Sequence, residues 1–281
     1  MFKKLLKYDF KSLFSIWWIG AVSILALAIP TGLCTRTLTT ANYTPSIEAF
    51  CTLWMFVYYM LIWAFNLLGM VLIFIRFYSN FFRDEGYLTF TLPVKRSTLY
   101  LSKVVSGTLI NILSGLTMLA SVCIVLFITP DSKSDPTPML FIVVHDFFES
   151  IGQTIMNEGA WILLHLLFFL IFLVLSAVFS TVIIYMFITI GSTLVKKHKL
   201  LATIGIMYGS SFVSSMVLIP TAILTVLWFS SVEGISGVTS STLFNPFITL
   251  VLLLVITVLA TLISTVSLII MGMLERKLNL Q

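Results

Sequence analysis

The sequence predicts an all-α, polytopic integral membrane protein that forms one transmembrane domain over residues 1–281. Three observations support this class. Hydrophobic residues make up 59% of the chain and charged residues 10%, whereas soluble domains carry about 45–50% and about 25%. Uncharged apolar runs reach the roughly 20 residues that a helix needs to cross a bilayer. Basic residues cluster in short segments beside those runs. Together these features exclude a water-soluble fold.

Six apolar runs predict six transmembrane helices. They cover residues 15–33, 50–75, 104–128, 160–193, 200–229 and 246–273. The fourth and fifth runs are longer than a bilayer requires, so we expect these helices to tilt, kink or project beyond the lipid. Pro220 is the expected kink site in the fifth run.

The distribution of basic residues predicts the orientation. If the six spans alternate, 14 of the 16 Lys and Arg residues fall on one side of the membrane and only Arg36 and Lys133 fall on the other. Cytoplasmic loops carry the excess of Lys and Arg, so both termini are predicted to be cytoplasmic. The net charge of +5 is then a topology signal and does not indicate nucleic-acid binding.

Two segments outside the spans have amphipathic patterns. In residues 1–14, lysines lie across the helical wheel from apolar side chains, which predicts a helix in the membrane plane; the alternative is a basic flank that only sets topology. Between the third and fourth spans, an apolar stripe predicts an outer amphipathic helix that either contacts substrate or caps the bundle. The stripe consists of Phe141, Val144, Phe148, Ile151 and Ile155.

Motifs for catalysis, metal binding and nucleotide binding are absent from the sequence. It contains no HExxH, GxSxG or GxxxxGK[ST] pattern, so we expect no enzymatic activity and no cofactor in this chain. His165 in the fourth run is interpreted as a packing residue, with a ligand role as the alternative. Cys34 and Cys51 flank one outer loop and either form a disulfide or remain free.

The fifth run contains a GxxxG pattern formed by Gly205 and Gly209. Small residues at this spacing allow helices to approach closely. We expect packing within the chain here, with a dimer seam as the alternative.

The predicted cytoplasmic segment between the second and third spans combines charged and apolar residues. A charged turn precedes a short apolar helix, a proline ends that helix, and Ser97 is a candidate cap for the next one. Apolar side chains outside the bilayer require a covering surface, which indicates a docking partner. The segment contains Arg83, Asp84, Glu85, Gly86, Tyr87, Leu88, Phe90, Leu92 and Pro93, followed by Lys95, Arg96 and Lys103.

This segment resembles the permeases of type-2 ATP-binding-cassette exporters, in which an acidic residue and glycine precede an apolar stretch, proline, basic residues and a lysine entering the third span. Residues 7–11, with the sequence Lys-Tyr-Asp-Phe-Lys, also look like the start of small bacterial permeases of this kind. The resemblance implies that residues 83–93 form a coupling helix seated in a separate nucleotide-binding subunit, which binds ATP and Mg²⁺. Lys196, Lys197, His198 and Lys199 would form a second contact; alternatively, they are a topology signal.

The resemblance predicts a permease subunit in the bacterial plasma membrane that works as a dimer, with a homodimer favoured. Its expected cargo is amphipathic or apolar, and a peptide toxin or bacteriocin is the preferred class. The substrate-binding residues are not predicted. The alternatives are extrusion of lipids or antibiotics, and a sensor or assembly component that transports nothing.

Overall fold

The computed structural model describes residues 2–40, 44–82, 94–131, 137–158, 161–194, 204–205, 208 and 241–278. These residues form six long helices: α1 (Phe2–Thr40), α2 (Pro45–Phe82), α3 (Arg96–Ile128), α4 (Met139–Glu158), α5 (Trp161–Leu194) and α6 (Ser241–Leu278). Within the described ranges there is no β-strand, although Pro130 and Pro138 form an isolated bridge. The all-α class is confirmed.

Five of these helices are long and apolar enough to cross a membrane. The qualifying segments are Phe2–Thr39, Pro45–Phe82, Arg96–Ile128, Leu163–Thr193 and Leu252–Leu274. The predicted span at residues 200–229 lies outside the described residues, apart from residues 204–205 and 208. A multi-pass, membrane-embedded architecture is therefore supported, whereas the count of six spans remains a prediction.

The helices extend beyond the apolar runs that predicted them. α2 continues through Arg76 to Phe82, and α3 begins at Arg96, with Lys95 at its N-cap position and no capping hydrogen bond from a side chain. The predicted Ser97 cap is therefore wrong, because Ser97 already lies in the first turn. α1 is continuous from Phe2 to Thr40, so the predicted helix at residues 1–14 is not a separate element from the first span.

Two compact units make up the chain, Met1–Gly159 and Ala160–Gln281. In the first unit, α1 and α3 run parallel. The Trp17 Nε1 atom donates to Ser114 Oγ over 2.8 Å, and the hydroxyls of Thr35 and Thr129 are 2.5 Å apart. The two residues of the first pair are 97 positions apart in sequence, and those of the second pair are 94 positions apart. Because this separation is nearly the same at both contacts, the two helices are parallel.

α2 runs antiparallel to α1. Trp54 Nε1 donates to Thr31 Oγ1 over 3.2 Å, while the rings of Phe65 and Trp17 are 6.1 Å apart. Residue numbers therefore rise along α2 as they fall along the facing part of α1. The three helices bury aromatic and aliphatic side chains between them, including Trp17, Phe65 and Ile110.

In the second unit, α5 packs against α6. Among the described side chains, which cover residues 163–193 of α5 and 252–274 of α6, the buried apolar ones include Val182, Tyr185 and Ile188 in α5 and Val266, Ile270 and Leu274 in α6. The first halves of the two helices present many exposed apolar residues, such as Leu170 in α5 and Leu254 in α6. Such surfaces are compatible with a lipid environment.

Candidate functional site

The most distinctive polar feature of the described residues is an ion pair between α1 and α3. Asp9 lies on the face of α1 that also carries Leu13 and Trp17, and all three are buried. Their spacing of four residues places them on successive turns of one side of the helix. Lys103 lies in the second turn of α3. The parallel register of α1 and α3 therefore brings the two charged residues to the same level.

Both carboxylate oxygens of Asp9 accept hydrogen bonds. Lys103 Nζ donates to Asp9 Oδ1, and Ser102 Oγ donates to Asp9 Oδ2 over 3.1 Å. Asp9 is 5% exposed and Lys103 is 7% exposed. A buried charge is tolerated when it is paired and hydrogen-bonded, so the opposite charges and the serine hydroxyl explain why both groups can lie inside the helix packing.

Two polar residues of α2 lie at the level of this ion pair. The antiparallel register of α1 and α2 brings Asp9 level with the turn of α2 that ends at Arg76. The approach of Gly69 to Ser114 gives α2 and α3 a matching antiparallel register, which brings Asn80 level with Lys103. Asn80 is buried, and among the described residues its Nδ2 atom has no hydrogen-bond partner.

We name Asp9, Arg76, Asn80, Ser102 and Lys103 the polar junction. Its members occupy the start of α1, the last turns of α2 and the start of α3. Asp9, Asn80, Ser102 and Lys103 are buried and Arg76 is half-buried. Buried polar groups in otherwise apolar helices are costly, so these residues are candidates for a functional role in a membrane protein. The junction also lies where the chain leaves α2 and enters α3, on either side of residues 83–93.

Most residues predicted to contact a partner lie outside the described part of the chain. This applies to the predicted coupling helix at residues 83–93 and to Lys196, Lys197, His198 and Lys199. Gly205 is described, and a Cβ atom added there would meet no heavy atom of the described residues within 4 Å, whereas Gly209 is not described. The predicted coupling contact and the GxxxG packing therefore remain predictions.

Among the remaining candidate residues, the thiols of Cys34 and Cys51 lie close enough to interact. His165 is half-buried in the first turns of α5. Cys34 and Cys51 are free thiols, and the hydroxyl of Thr37 lies 3.4 Å from Cys51 Sγ where the ends of α1 and α2 meet. These contacts join the helices at the opposite end from the polar junction.

Sequence reasoning misses the contact between Asp9 and Lys103, although each residue lies in a stretch that it identifies. The sequence does indicate that Asp9 needs a partner. Asp9 falls on the helix face that continues through Leu13 and Trp17, where an unpaired carboxylate is unfavourable. To identify Lys103 as the partner of Asp9, one must also know the register between α1 and α3.

Comparisons with known proteins identify no family: no family model, no curated protein and no solved structure matches this chain.

Proposed function

We propose that this chain is the permease subunit of a bacterial ATP-binding-cassette exporter, located in the plasma membrane with both termini in the cytoplasm. Its cargo is amphipathic or apolar, with a peptide toxin or bacteriocin as the preferred class. The observation that carries this proposal is the buried pair of Asp9 and Lys103. It joins residues 7–11 to the end of the stretch 83–103, the two parts of the chain on which the resemblance to exporter permeases rests.

The polar junction gives this function a mechanical basis. Residues 83–93 connect the end of α2 to the start of α3, so a partner that displaces this segment acts first on these two helix ends. Lys103 then links the start of α3 to α1 through Asp9. Because both carboxylate oxygens of Asp9 are engaged, the start of α1 is held in a defined position and moves together with α3.

The energy for transport comes from a separate subunit in this proposal. The sequence contains no phosphate-binding loop, so ATP and Mg²⁺ are assigned to a nucleotide-binding partner. Two permease subunits, preferably identical, would assemble with two such partners. The chain itself is then a transport component without catalytic residues.

Exposed apolar surface favours an apolar or amphipathic cargo without distinguishing peptides from lipids or antibiotics. Large apolar side chains are exposed along α1, α2, α3, α5 and α6, and some of this surface is available for contacts other than those within the two units. Extrusion of a lipid or antibiotic therefore stands as the second candidate. A sensor or assembly component is the alternative that involves no transport.

The first experiment tests for the partner. The tagged chain is purified in mild detergent from its native membranes, and associated proteins are identified by mass spectrometry. We expect a nucleotide-binding subunit to co-purify and ATP hydrolysis to occur in the complex but not in the isolated chain. ATP hydrolysis by the purified chain alone, or the absence of an ATPase subunit from the native complex, would contradict the proposal.

The second experiment locates the contact. The triple variant Y87A/L88A/F90A removes apolar side chains that each contribute roughly 1.5–3 kcal/mol when buried, so we expect it to lose the ATPase subunit. The matched control F56A/L116A/L119A alters side chains that are 60%, 56% and 63% exposed on α2 and α3 and should retain the subunit. Unchanged assembly in the first variant, or equal loss in both, would show that the coupling contact is misplaced.

A further inference from the structure

Helix α4 has one apolar and one polar face over its middle turns. At about 100° per residue, most aliphatic and aromatic side chains from Leu140 to Ile155 fall on one side, and the imidazole, acidic and amide side chains from His145 to Gln153 fall on the other, with Ile142 and Met156 as apolar exceptions on the polar side. The apolar face contains Leu140, Val143, Val144, Phe147, Phe148, Ile151 and Ile155. The polar face includes His145, Asp146, Glu149 and Gln153, in which Gln153 Nε2 donates to Glu149 Oε1 over 3.1 Å.

The apolar face of α4 is not covered within its own unit. Phe147 is 53% exposed and Phe148 is 66% exposed, and Val143 and Val144 are also exposed. Contiguous apolar surface of this kind requires a partner or a lipid environment. Exposed apolar residues recur from Met139 to Ile155, with Leu140 and Ile151 half-buried among them, so the covering surface must run along α4 and cannot be a pocket for one side chain.

α4 is attached to the end of α3. Met139 N donates to Thr129 O over 2.8 Å, and Asp131 N donates to Thr137 O over 3.1 Å. These bonds fold the connection back, so that α4 begins beside the last residues of α3. The rings of Phe127 and Phe141 are 6.1 Å apart in an edge-to-face arrangement, which adds a side-chain contact between the two helices.

The attachment to α3 identifies the environment of α4. The segment Arg96–Ile128 is long and apolar enough to cross a membrane, and its side chains Leu119, Val122 and Phe127 are exposed. α3 remains apolar up to Ile128, while its charged residues lie at the other end. Its last residues therefore lie near the edge of the hydrocarbon core, and α4 starts at the boundary between hydrocarbon and headgroups. Phe141 extends the exposed surface of α3 directly onto α4, so both helices present one continuous apolar surface.

The charges of α4 exclude a transmembrane position. Asp146 and Glu149 lie in its middle turns and are exposed, and placing carboxylates at the bilayer centre is unfavourable. A helix with one apolar face and one acidic face is accommodated in the interface, where the apolar side chains enter the acyl region and the carboxylates remain in water.

We propose that α4 is a lipid-binding element that lies in the plane of the membrane interface. Its apolar face, centred on Val144, Phe148 and Ile151, contacts the acyl chains, and its polar face at Asp146 and Gln153 contacts water. This inference rests on the crossing of the membrane by α3. It is independent of whether the chain binds an ATPase, so either proposal can fail without the other.

The experiment measures the surroundings of each face separately. Single cysteines are introduced at Val144, Phe148 and Ile151, with Asp146 and Gln153 as controls on the polar face, after Cys34, Cys51 and Cys123 have been replaced by serine. Each variant is labelled with a nitroxide and reconstituted into vesicles of phosphatidylcholine and phosphatidylglycerol. Collision rates are measured with dioxygen, which concentrates in lipid, and with a water-soluble nickel chelate.

We expect the ratio of dioxygen to nickel collisions to be higher at all three apolar positions than at either control. High nickel collision at the apolar positions would show that this face meets water, and low collision with both reagents would show that protein covers it. Either result overturns the proposal. If the label at Phe148 prevents folding, as judged by size-exclusion chromatography, labels at Val143 and Ile155 provide the same comparison.

Discussion

Asp9 is flanked in sequence by Lys7 and Lys11 but pairs with Lys103. Residues two positions apart on a helix do not face each other, and both nearby lysines are exposed whereas Asp9 is buried. The helical geometry of α1 therefore separates Asp9 from the cations closest in sequence. Lys103 meets it from another helix, so this pairing depends on the packing of α1 against α3 and cannot be read from either segment alone.

We predict that Asp9→Ala strongly destabilises the protein. The substitution removes the carboxylate that pairs with the buried ammonium of Lys103, and breaking a buried ion pair by removing one partner costs about 3–5 kcal/mol. The midpoint of thermal unfolding in detergent should fall accordingly. The control is Lys11→Ala, which removes an exposed charge from the same helix and should change the stability by less than about 0.5 kcal/mol.

The double variant D9L/K103M separates the loss of the ion pair itself from the cost of leaving one of its charges buried. Replacing a buried ion pair with apolar residues of similar volume is often neutral or stabilising. We therefore expect D9L/K103M to unfold at a higher temperature than Asp9→Ala. If Asp9→Ala and Lys11→Ala have the same unfolding midpoint, the folded protein does not contain a buried ion pair between Asp9 and Lys103.

At the level of helices, the five apolar runs that fall on described residues lie in helices, but the runs do not predict where each helix ends. The run at residues 160–193 nearly coincides with α5 (Trp161–Leu194), and the run at 104–128 ends with α3 at Ile128. In contrast, α1 begins at Phe2 and α2 continues to Phe82. Hydropathy reports the apolar part of a helix, whereas Lys3, Lys4 and Arg76 are good helix formers that allow the helix to continue beyond it.

The parallel packing of α1 and α3 predicts a position-specific effect of glycine substitution. A Cβ atom added at Gly32 would lie 2.8 Å from the Cβ of Ile128, whereas one added at Gly115 would meet no heavy atom of the described residues within 4 Å. Overpacking of this kind typically costs about 1–3 kcal/mol, because neighbouring side chains and backbone must shift to make room. We expect Gly32→Ala to lower the thermal unfolding midpoint in detergent.

Gly115→Ala is the matched control, because Gly115 is exposed in α3 and the added methyl group would contact none of the described residues. Alanine is favoured over glycine inside a helix by about 1 kcal/mol, so this variant should be as stable as the parent protein or more stable. Equal destabilisation by the two substitutions would show that α1 and α3 do not approach each other closely at Gly32.

At the scale of the whole molecule, the sequence predicts the class of protein more completely than the candidate site. Long apolar runs and few charges are sufficient to predict membrane-crossing helices, because the bilayer imposes the same length on each. The polar junction instead depends on the relative register of three helices. The sequence pattern places Lys103 at the start of the third predicted span, and the structure places it in the second turn of α3. The same pattern assigns the partner Asp9 to a separate helix in the membrane plane, whereas Asp9 lies in the continuous helix α1.

The crossing of the membrane by α3 is the remaining prediction for the whole molecule. α3 contains 33 residues and is therefore about 50 Å long at roughly 1.5 Å per residue, compared with a hydrocarbon core of about 30 Å. Its two ends should lie on opposite sides of the membrane, with the end next to Lys95 and Arg96 in the cytoplasm. Ser97 at its start and Ser150 in α4 are both exposed and suit labelling.

In a cysteine-free background, we expect Ser150→Cys to react with an impermeant maleimide in intact cells and Ser97→Cys to react only after the cells are permeabilised. The measurement is the mass shift of the labelled protein, with permeabilised cells showing that both thiols are reactive. Labelling of Ser97→Cys alone in intact cells would reverse the orientation. Labelling of both variants in intact cells would mean that α3 does not cross the membrane. The proposal that α4 lies in the membrane interface would then fail as well, because it rests on that crossing.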